Sequence, residues 1–370
     1  MKALFKFLLI MLVLSVIGTQ CDDCPDPTNP ECDDYNPCHP LPCNTLLEGT
    51  VVVDNVLSPG LEHNILGDEA NRKLSVYLPA GYETETSKEY PVIYLLHGYL
   101  CDYFIWYGGD AKAFGGYPDM NLDEMMDTLI DMEYILPMIV VSPSTYNRYE
   151  GSWYTNSSVS GSWEDFIFQD VVSYIDNHYR TIPAPESRGI AGHSMGGYGA
   201  MKLAMKHPEV FGSVYAMSAS DLVFEDSFLD LKKEDMIEAL QEESYSIFTD
   251  FRVRAIISRS AAYAPNPLSH PFPGDIPMDE NGNIVDSTWQ KWLKHDPYSM
   301  LDGLKENLMQ LQAIQFDCGN SDNSCFISKH FSEALSDLGI EHEFETYSGD
   351  HLNKISLRMA GELFPFFSEH

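Results

Sequence analysis

Basic residues are scarce in this chain: Lys and Arg total 22 of 370, against 56 Asp and Glu, for a formal net charge of −34. A surface so poor in positive charge repels phosphate backbones and anionic lipid, which argues against nucleic-acid binding and against adsorption to an anionic membrane. It suits a soluble protein in a salty medium, where charges more than about 8 Å apart are screened; the ordinary acidity of exported proteins would serve as well. Long apolar runs are missing beyond the start of the chain. "FLLIMLVLSVI", Phe7 to Ile17, follows Lys2 and Lys6 and is short for a bilayer span, so residues 1–20 read as an export signal. No later stretch approaches membrane-spanning length, and the expected product is secreted or extracytoplasmic and soluble. Cys21 stands where a lipid anchor could be attached, but Gln20 before it is a poor match to the small residue a lipoprotein signal prefers, which favours simple secretion.

Metal-ligand spacing is wanting too. Five of the eight cysteines crowd into "CDDCPDPTNPECDDYNPCHPLPCN", where a C-x2-C is followed by a C-x4-C among Pro and Asp. That spacing fits disulfides in an oxidising compartment better than zinc, and without an apolar pattern residues 21–48 read as a cross-linked spacer. The run "MDENGNIVD" has Asp279-x-Asn281-x-Asn283, but Ile284 stands where a calcium loop needs Gly, so an Asn281-Gly282 hairpin turn is expected. No metal or cofactor is called for, and no internal repeat is found.

What is present from residue 49 onward is an alternation of strands and helices. "TVVVDNVL" and "KLSVYLPA" suggest an antiparallel start. "YPVIYLLHG" and "LPMIVVSPS" are near-continuous apolar runs of the kind a buried strand needs. "SWEDFIFQDVVSYIDNHY" puts Phe166, Ile167, Val171, Tyr174 and Ile175 on one helical face. The pattern predicts an α/β domain over 49–370, a mostly parallel sheet covered on both faces. It is interrupted at about 221–311 by one clear acidic helix, "KKEDMIEALQEE", and a Pro-rich stretch, read as an insertion that forms a wall or lid.

Chemistry enters at "GIAGHSMGGYGA". Gly192-His193-Ser194-Met195-Gly196 is G-x-S-x-G between a strand and a helix, where a sharp turn holds the serine in a strained conformation and small residues let strand and helix pass. A serine hydroxyl needs a base, and in such folds acid and histidine follow the serine in that order. His351 in "SGDHLN" lies just after the last strand, the expected loop for the base. Asp322 lies in the turn after "AIQFDC", whereas Asp317 is still within the strand, which points to Asp322 as the acid. Cys318 and Cys325 bracket that turn, either as a disulfide that pins it or as free thiols. The oxyanion requires two N–H donors: Met195, first in the helix after the serine, and Tyr99, after His97-Gly98 at the end of a central strand.

These segments, with "LLHGYL", "GSWYTNSSVSGSWEDF", "WQKWLKHDP", "DCGNSD" and "SGDH" in order over about residues 50–368, resemble the esterase D-type branch of the α/β-hydrolases. That group includes feruloyl and acetylxylan esterases, S-formylglutathione hydrolases and mycolyltransferases. The resemblance implies an α/β-hydrolase fold with Ser194 as nucleophile, Asp322 as acid, His351 as base, and the N–H groups of Tyr99 and Met195 as oxyanion hole. "LNKIS" after His351 departs from the family habit of an aromatic residue there, so the leaving-group side is expected to differ. Tyr99, Tyr103, Trp106, Trp153, Tyr154 and Trp163 either line a cleft for a phenolic or sugar ring or fill the core. The expected function is an exported serine carboxylesterase that works through an acyl-enzyme on feruloyl or acetyl esters of polysaccharide. An acyltransferase with the same triad, a polyester hydrolase and a catalytically silent carbohydrate-binding protein are the alternatives.

Overall fold

The computed structural model describes residues 48–108 and 116–370, so the export segment and all of the cysteine-rich spacer but Glu48 lie outside the described residues. Eight strands form one open sheet: β1 (Thr50–Leu57), β2 (Asn71–Leu78), β3 (Val92–Leu96), β4 (Ile139–Pro143), β5 (Arg188–His193), β6 (Ser213–Met217), β7 (Ala313–Gly319) and β8 (Glu343–Tyr347). Their spatial order is β1-β2-β4-β3-β5-β6-β7-β8. β2 runs antiparallel to both β1 and β4, and every pairing from β4 to β8 is parallel.

The apolar runs are continuous because each central strand buries both faces. Tyr94, Leu96, Ile139, Val141, Ile190 and Val214 point into one apolar layer, while Ile93, Leu95, Val140, Ala191, Tyr215 and Met217 point into the other. At the outer edge β8 is half-exposed and carries Glu343 and Glu345, charges that discourage pairing with another chain. The chain leaves β3 to one side for β4 and returns to the other side for β5. The order therefore reverses between β3 and β5, and a crevice opens there at the strands' carboxyl ends.

The insertion is more helical than its sequence suggests. It contains α4 (Asp226–Gln241), α5 (Phe251–Tyr263), α6 (Asp286–Trp292) and α7 (Pro297–Leu308). Phe224, Tyr263, Trp289 and Trp292 pack together and join the main core, so the segment is packed onto the rest of the domain. The hairpin turn at Asn281-Gly282 is present: Asp279 Oδ1 accepts the N–H groups of Asn281 and Asn283, Gly282 has φ +76°, and Met278 bridges to Ile284. Among the described residues no helix is long and apolar enough to cross a membrane.

The helix after β5, Met195–Lys206 (α3, following α1 at Leu122–Asp131 and α2 at Val172–His178), is buried along nearly its whole length, Lys202 included. The Lys202 ammonium donates to Thr155 Oγ1, to Tyr198 Oη at 3.2 Å and to the Trp153 carbonyl at 3.3 Å. Burial pulls its pKa down to about 7, with Glu164 opposing. In the unfolded chain a lysine titrates near about 10.4, so between the two values the unfolded state binds more protons and stability rises with pH. The proton's penalty is greatest below the folded value and vanishes above the unfolded one. The melting temperature of the wild type is therefore expected to climb between pH 7 and 9 relative to Lys202→Met, whose side chain binds no proton. A difference between the two melts that stays flat across that range would contradict this.

Candidate active site

The strand–helix turn at Ser194 forces the backbone to φ 57° and ψ −118°, a conformation that L-residues avoid. It persists because its neighbours over-determine it. The Ser194 N–H donates to the Met217 carbonyl at 3.0 Å, and the Ser194 carbonyl accepts from Tyr198 and Ser220 N–H. The flanking glycines are required by space. A Cβ on Gly192 would lie 2.4 Å from the Gly196 backbone, and one on Gly196 would lie 2.1 Å from the Leu96 carbonyl oxygen.

His351 is carried by the loop after β8 and Asp322 by the loop after β7. The three side chains form one hydrogen-bonded row: Ser194 Oγ stands 2.9 Å from His351 Nε2, and His351 Nδ1 stands 2.6 Å from Asp322 Oδ2. The second Asp322 oxygen accepts the Ser324 N–H at 2.8 Å. Burial pushes the Asp322 pKa up, but the hydrogen bond and charge of His351, with the Ser324 N–H, outweigh it and hold the carboxyl below its usual range. Cys318 and Cys325 are joined in a disulfide across this loop. Asp317 is elsewhere: buried in β7, it accepts from Tyr215 Oη and from Arg358 Nε, each at 2.7 Å.

The two sequence-derived oxyanion donors lie against the serine. Gly98 brings the loop after β3 so close that a Cβ there would be 3.5 Å from Ser194 Cβ. In that loop Leu100 N–H donates to Glu150 O and Cys101 N–H to Gly98 O, while the Tyr99 N–H has no acceptor among the described residues. Met195 opens α3, and a helix's first N–H groups have no partner within it. Both donors, and the positive end of the helix dipole, are therefore available to a developing negative charge. Gly151 braces this arrangement: a Cβ on it would meet the Tyr99 ring at 2.6 Å and Met195 Sδ at 2.7 Å.

A cavity of about 230 Å³ opens over Ser194 and His351, walled by Tyr99, Leu100, Tyr117, Leu352 and, from the insertion, Phe251. Of the six aromatic residues read as lining a cleft or filling the core, Tyr99 lines the cavity, while Tyr103, half-buried against Phe104, is not among its walls. Trp106, Trp153, Tyr154 and Trp163 are corrected to core residues, none more than 1% exposed. Three of them find hydrogen-bond partners inside, which lets their polar atoms be buried: Trp153 Nε1 donates to Ser258 Oγ, Tyr154 Oη to the His97 carbonyl, and Trp163 Nε1 to the Ser160 carbonyl. Trp106 packs against Tyr117, which itself faces the cavity. Sequence reasoning missed Phe251, Tyr117 and Leu352. Leu352 follows the histidine and could have been found by adjacency, whereas Phe251 arrives from a helix whose place over the serine no local pattern announces. Among the described residues no group of three or more His, Cys, Asp or Glu side chains is placed to hold a metal ion.

An open, mostly parallel sheet with a serine on the β5–α3 elbow and an aspartate and a histidine on the loops after β7 and β8 defines an α/β-hydrolase fold. The Esterase family model matches residues 67–354, and the chain belongs to that family. Among curated proteins it is similar to esterase MT1326 of Mycobacterium tuberculosis, 32% identical over 152 residues that cover 40% of this chain and 29% of that one. It is also similar to an endo-1,4-beta-xylanase/feruloyl esterase of Xylanibacter ruminicola, 28% identical over 141 residues that cover 37% of this chain and 18% of that one. The matches thus span less than a third of the length of these two relatives. Among solved structures a ferulic acid esterase superposes with a TM-score of 0.58 at 22% identity, covering 87% of this chain and 99% of that one, a likeness of fold.

Proposed function

We propose that this protein is a serine esterase that cleaves carboxylic esters through an acyl-enzyme, and that its substrates are feruloyl or acetyl esters of polysaccharide met outside the cell. The observation that carries the reading is the unbroken row Ser194–His351–Asp322 at the sheet's switch point. Ser194 Oγ attacks the ester carbonyl carbon as its proton passes to His351 Nε2. Asp322 holds the imidazole in the tautomer that receives it and stabilises the imidazolium that forms. The carbonyl oxygen, now negative, accepts hydrogen bonds from the N–H groups of Tyr99 and Met195. Collapse of this intermediate breaks the carbon–oxygen bond to the alcohol, which takes the proton back from His351 and departs. Water then attacks the acyl-serine by the same route, with His351 again as base.

The substrate half of the proposal rests on the cavity and the charge. An apolar, aromatic-walled space of about 230 Å³ suits a short or phenolic acyl group better than a charged one. An excess of 34 negative charges disfavours an anionic alcohol or thiol half and leaves a neutral sugar acceptable. The names of the feruloyl-esterase relatives agree with such a substrate. The test is a hydrolysis panel of p-nitrophenyl acetate, methyl ferulate, acetylated xylan and a polyester film, run beside labelling by a fluorophosphonate with the modified residue located by mass spectrometry. Turnover of methyl ferulate or acetylated xylan, with the label on Ser194, is expected. No turnover of any ester, or a label on another residue, would overturn the proposal.

A further inference from the structure

The imidazole of His193 takes no part in the steps above, yet it is 1% exposed and lies beneath the cavity between nucleophile and base. Both ring nitrogens are engaged. Nε2 is 2.8 Å from the backbone oxygen of His351, and Nδ1 is 2.8 Å from the Tyr117 hydroxyl. The His193 and His351 ring centroids are 4.7 Å apart.

The hydrogens between Tyr117, His193 and the His351 carbonyl have one arrangement. A carbonyl oxygen only accepts, so His193 Nε2 must carry the proton. Burial, helped by the neighbouring imidazole of His351, pulls the His193 pKa down to about 3, so the ring is neutral and has a single ring hydrogen. Nδ1 is then an acceptor, and the Tyr117 O–H donates to it. Cys101 Sγ lies 3.9 Å from the Tyr117 oxygen, with its thiol kept protonated by burial, its pKa pushed up to about 12. The row therefore runs in one direction, from Tyr117 through His193 to the main chain of His351, while the Cys101 thiol has its nearer acceptor in the Tyr99 carbonyl at 3.6 Å.

That destination matters because of how His351 is held. Its side chain is 35% exposed and its loop has no regular structure. The neighbouring tethers are largely internal to the loop: Asp350 Oδ1 accepts the N–H groups of Leu352 and Asn353, and Asn353 Oδ1 accepts the Asp350 N–H. The His193 bond instead ties the base's own carbonyl to the residue joined to the nucleophile, so the separation of Ser194 and His351 is set from one peptide unit.

We propose that His193 is a positioning residue for His351, fixing the base's main chain so that Nε2 stays within reach of Ser194 Oγ, with Tyr117 as the donor that braces the His193 ring at Nδ1. The proposal rests on the serine-esterase reading and adds to it a part that the nucleophile, acid and base do not contain.

The test measures kcat and KM on p-nitrophenyl acetate for His193→Leu, His193→Gln and Tyr117→Phe, each normalised to sites titrated with a fluorophosphonate and accompanied by a thermal melt. Misplacing a reacting group by about 1 Å can cost up to about 10²-fold, so His193→Leu is expected to lower kcat per site by about 10- to 100-fold with KM within about twofold of the wild type. His193→Gln keeps an amide N–H that reaches toward the same oxygen and is expected to recover most of the loss. Tyr117→Phe removes the donor that braces the His193 ring at Nδ1 while the His351 carbonyl still holds the proton on Nε2, and a several-fold fall in kcat per site, smaller than that of His193→Leu, is expected from it, a readout that survives if His193→Leu does not fold. Equal kcat per site in His193→Leu and wild type, or Leu and Gln variants impaired alike, would overturn the positioning role. Retained turnover in Ser194→Ala would instead overturn the esterase reading, so the two failures are told apart.

Discussion

Ser194→Ala is expected to remove at least about 10⁴-fold of kcat on p-nitrophenyl acetate, and Asp322→Asn nearly as much, while both variants keep the wild-type circular dichroism spectrum. The first loses the oxygen to which the proposed acyl-enzyme is attached. The second keeps size and shape but turns an acceptor at 2.6 Å from His351 Nδ1 into an amide. The amide can donate to that nitrogen and hold the ring in the tautomer whose Nε2–H faces Ser194, where it cannot take a proton. The double variant is expected to be no worse than Ser194→Ala alone, because the residues act as a unit and what is left comes from binding and the oxyanion donors. Asp317→Asn separates the two aspartates by mode of failure. Asp317 faces the Arg358 guanidinium inside the core, so losing its charge leaves a buried cation short of a partner and should cost folding rather than chemistry. Retention of more than about a tenth of wild-type kcat in Asp322→Asn would move the acid elsewhere.

The sheet and the row Ser194–His351–Asp322 could be read from the chain because each leaves a local mark. β3 and β5 are buried on both faces; the unbroken apolar run of β3 leads to Gly98, and the small residues of β5 lead into the glycine-rich elbow. Order along the chain then separates His351 and Asp322 from the other histidines and aspartates, since chain order and loop position point to the same two residues. Beyond its acidic helix and the Asn281-Gly282 turn, the insertion left no such mark. α5 turns Arg254 and Arg259 toward the interior, where they pair with Glu150 and Asp221, and those charges break the apolar stripe that would have announced a helix. The aromatic residues were ambiguous for a related reason. An indole or phenol serves a core or a cleft equally, and which one depends on whether a partner such as Ser258 Oγ or the His97 carbonyl waits inside. Those partners are about 57 to 105 positions away in the chain, far beyond any pattern a window can read.

The same elbow that exposes Ser194 makes Gly196→Ala the largest expected effect on stability. The added Cβ would stand 2.1 Å from the Leu96 carbonyl oxygen, 2.6 Å from its carbon and 2.8 Å from the His97 oxygen, all of them backbone atoms of β3 and its exit. A side chain in the way could rotate, but a carbonyl in the middle of a parallel sheet cannot move without loosening the β3–β5 pairing that ends at Leu96 and Gly192. Overpacking against yielding side chains costs about 1–3 kcal/mol, so a clash with fixed backbone should reach at least about 3 kcal/mol. At roughly 2–4 °C per kcal/mol for a sizeable domain, the melt should fall by about 6–12 °C, or the protein should fail to accumulate in soluble form. Gly303→Ala is the internal control: it lies in α7 with nothing within 4 Å of the new Cβ, so the substitution should be neutral or stabilising by up to about 1 kcal/mol through helix propensity. If Gly196→Ala melts with Gly303→Ala, the strand and the nucleophile helix are not in the close contact described. The serine's strained backbone would then need another cause. If it melts well below, the glycine two residues beyond Ser194 is what lets the helix start there and aim its free N–H groups at the reacting oxygen.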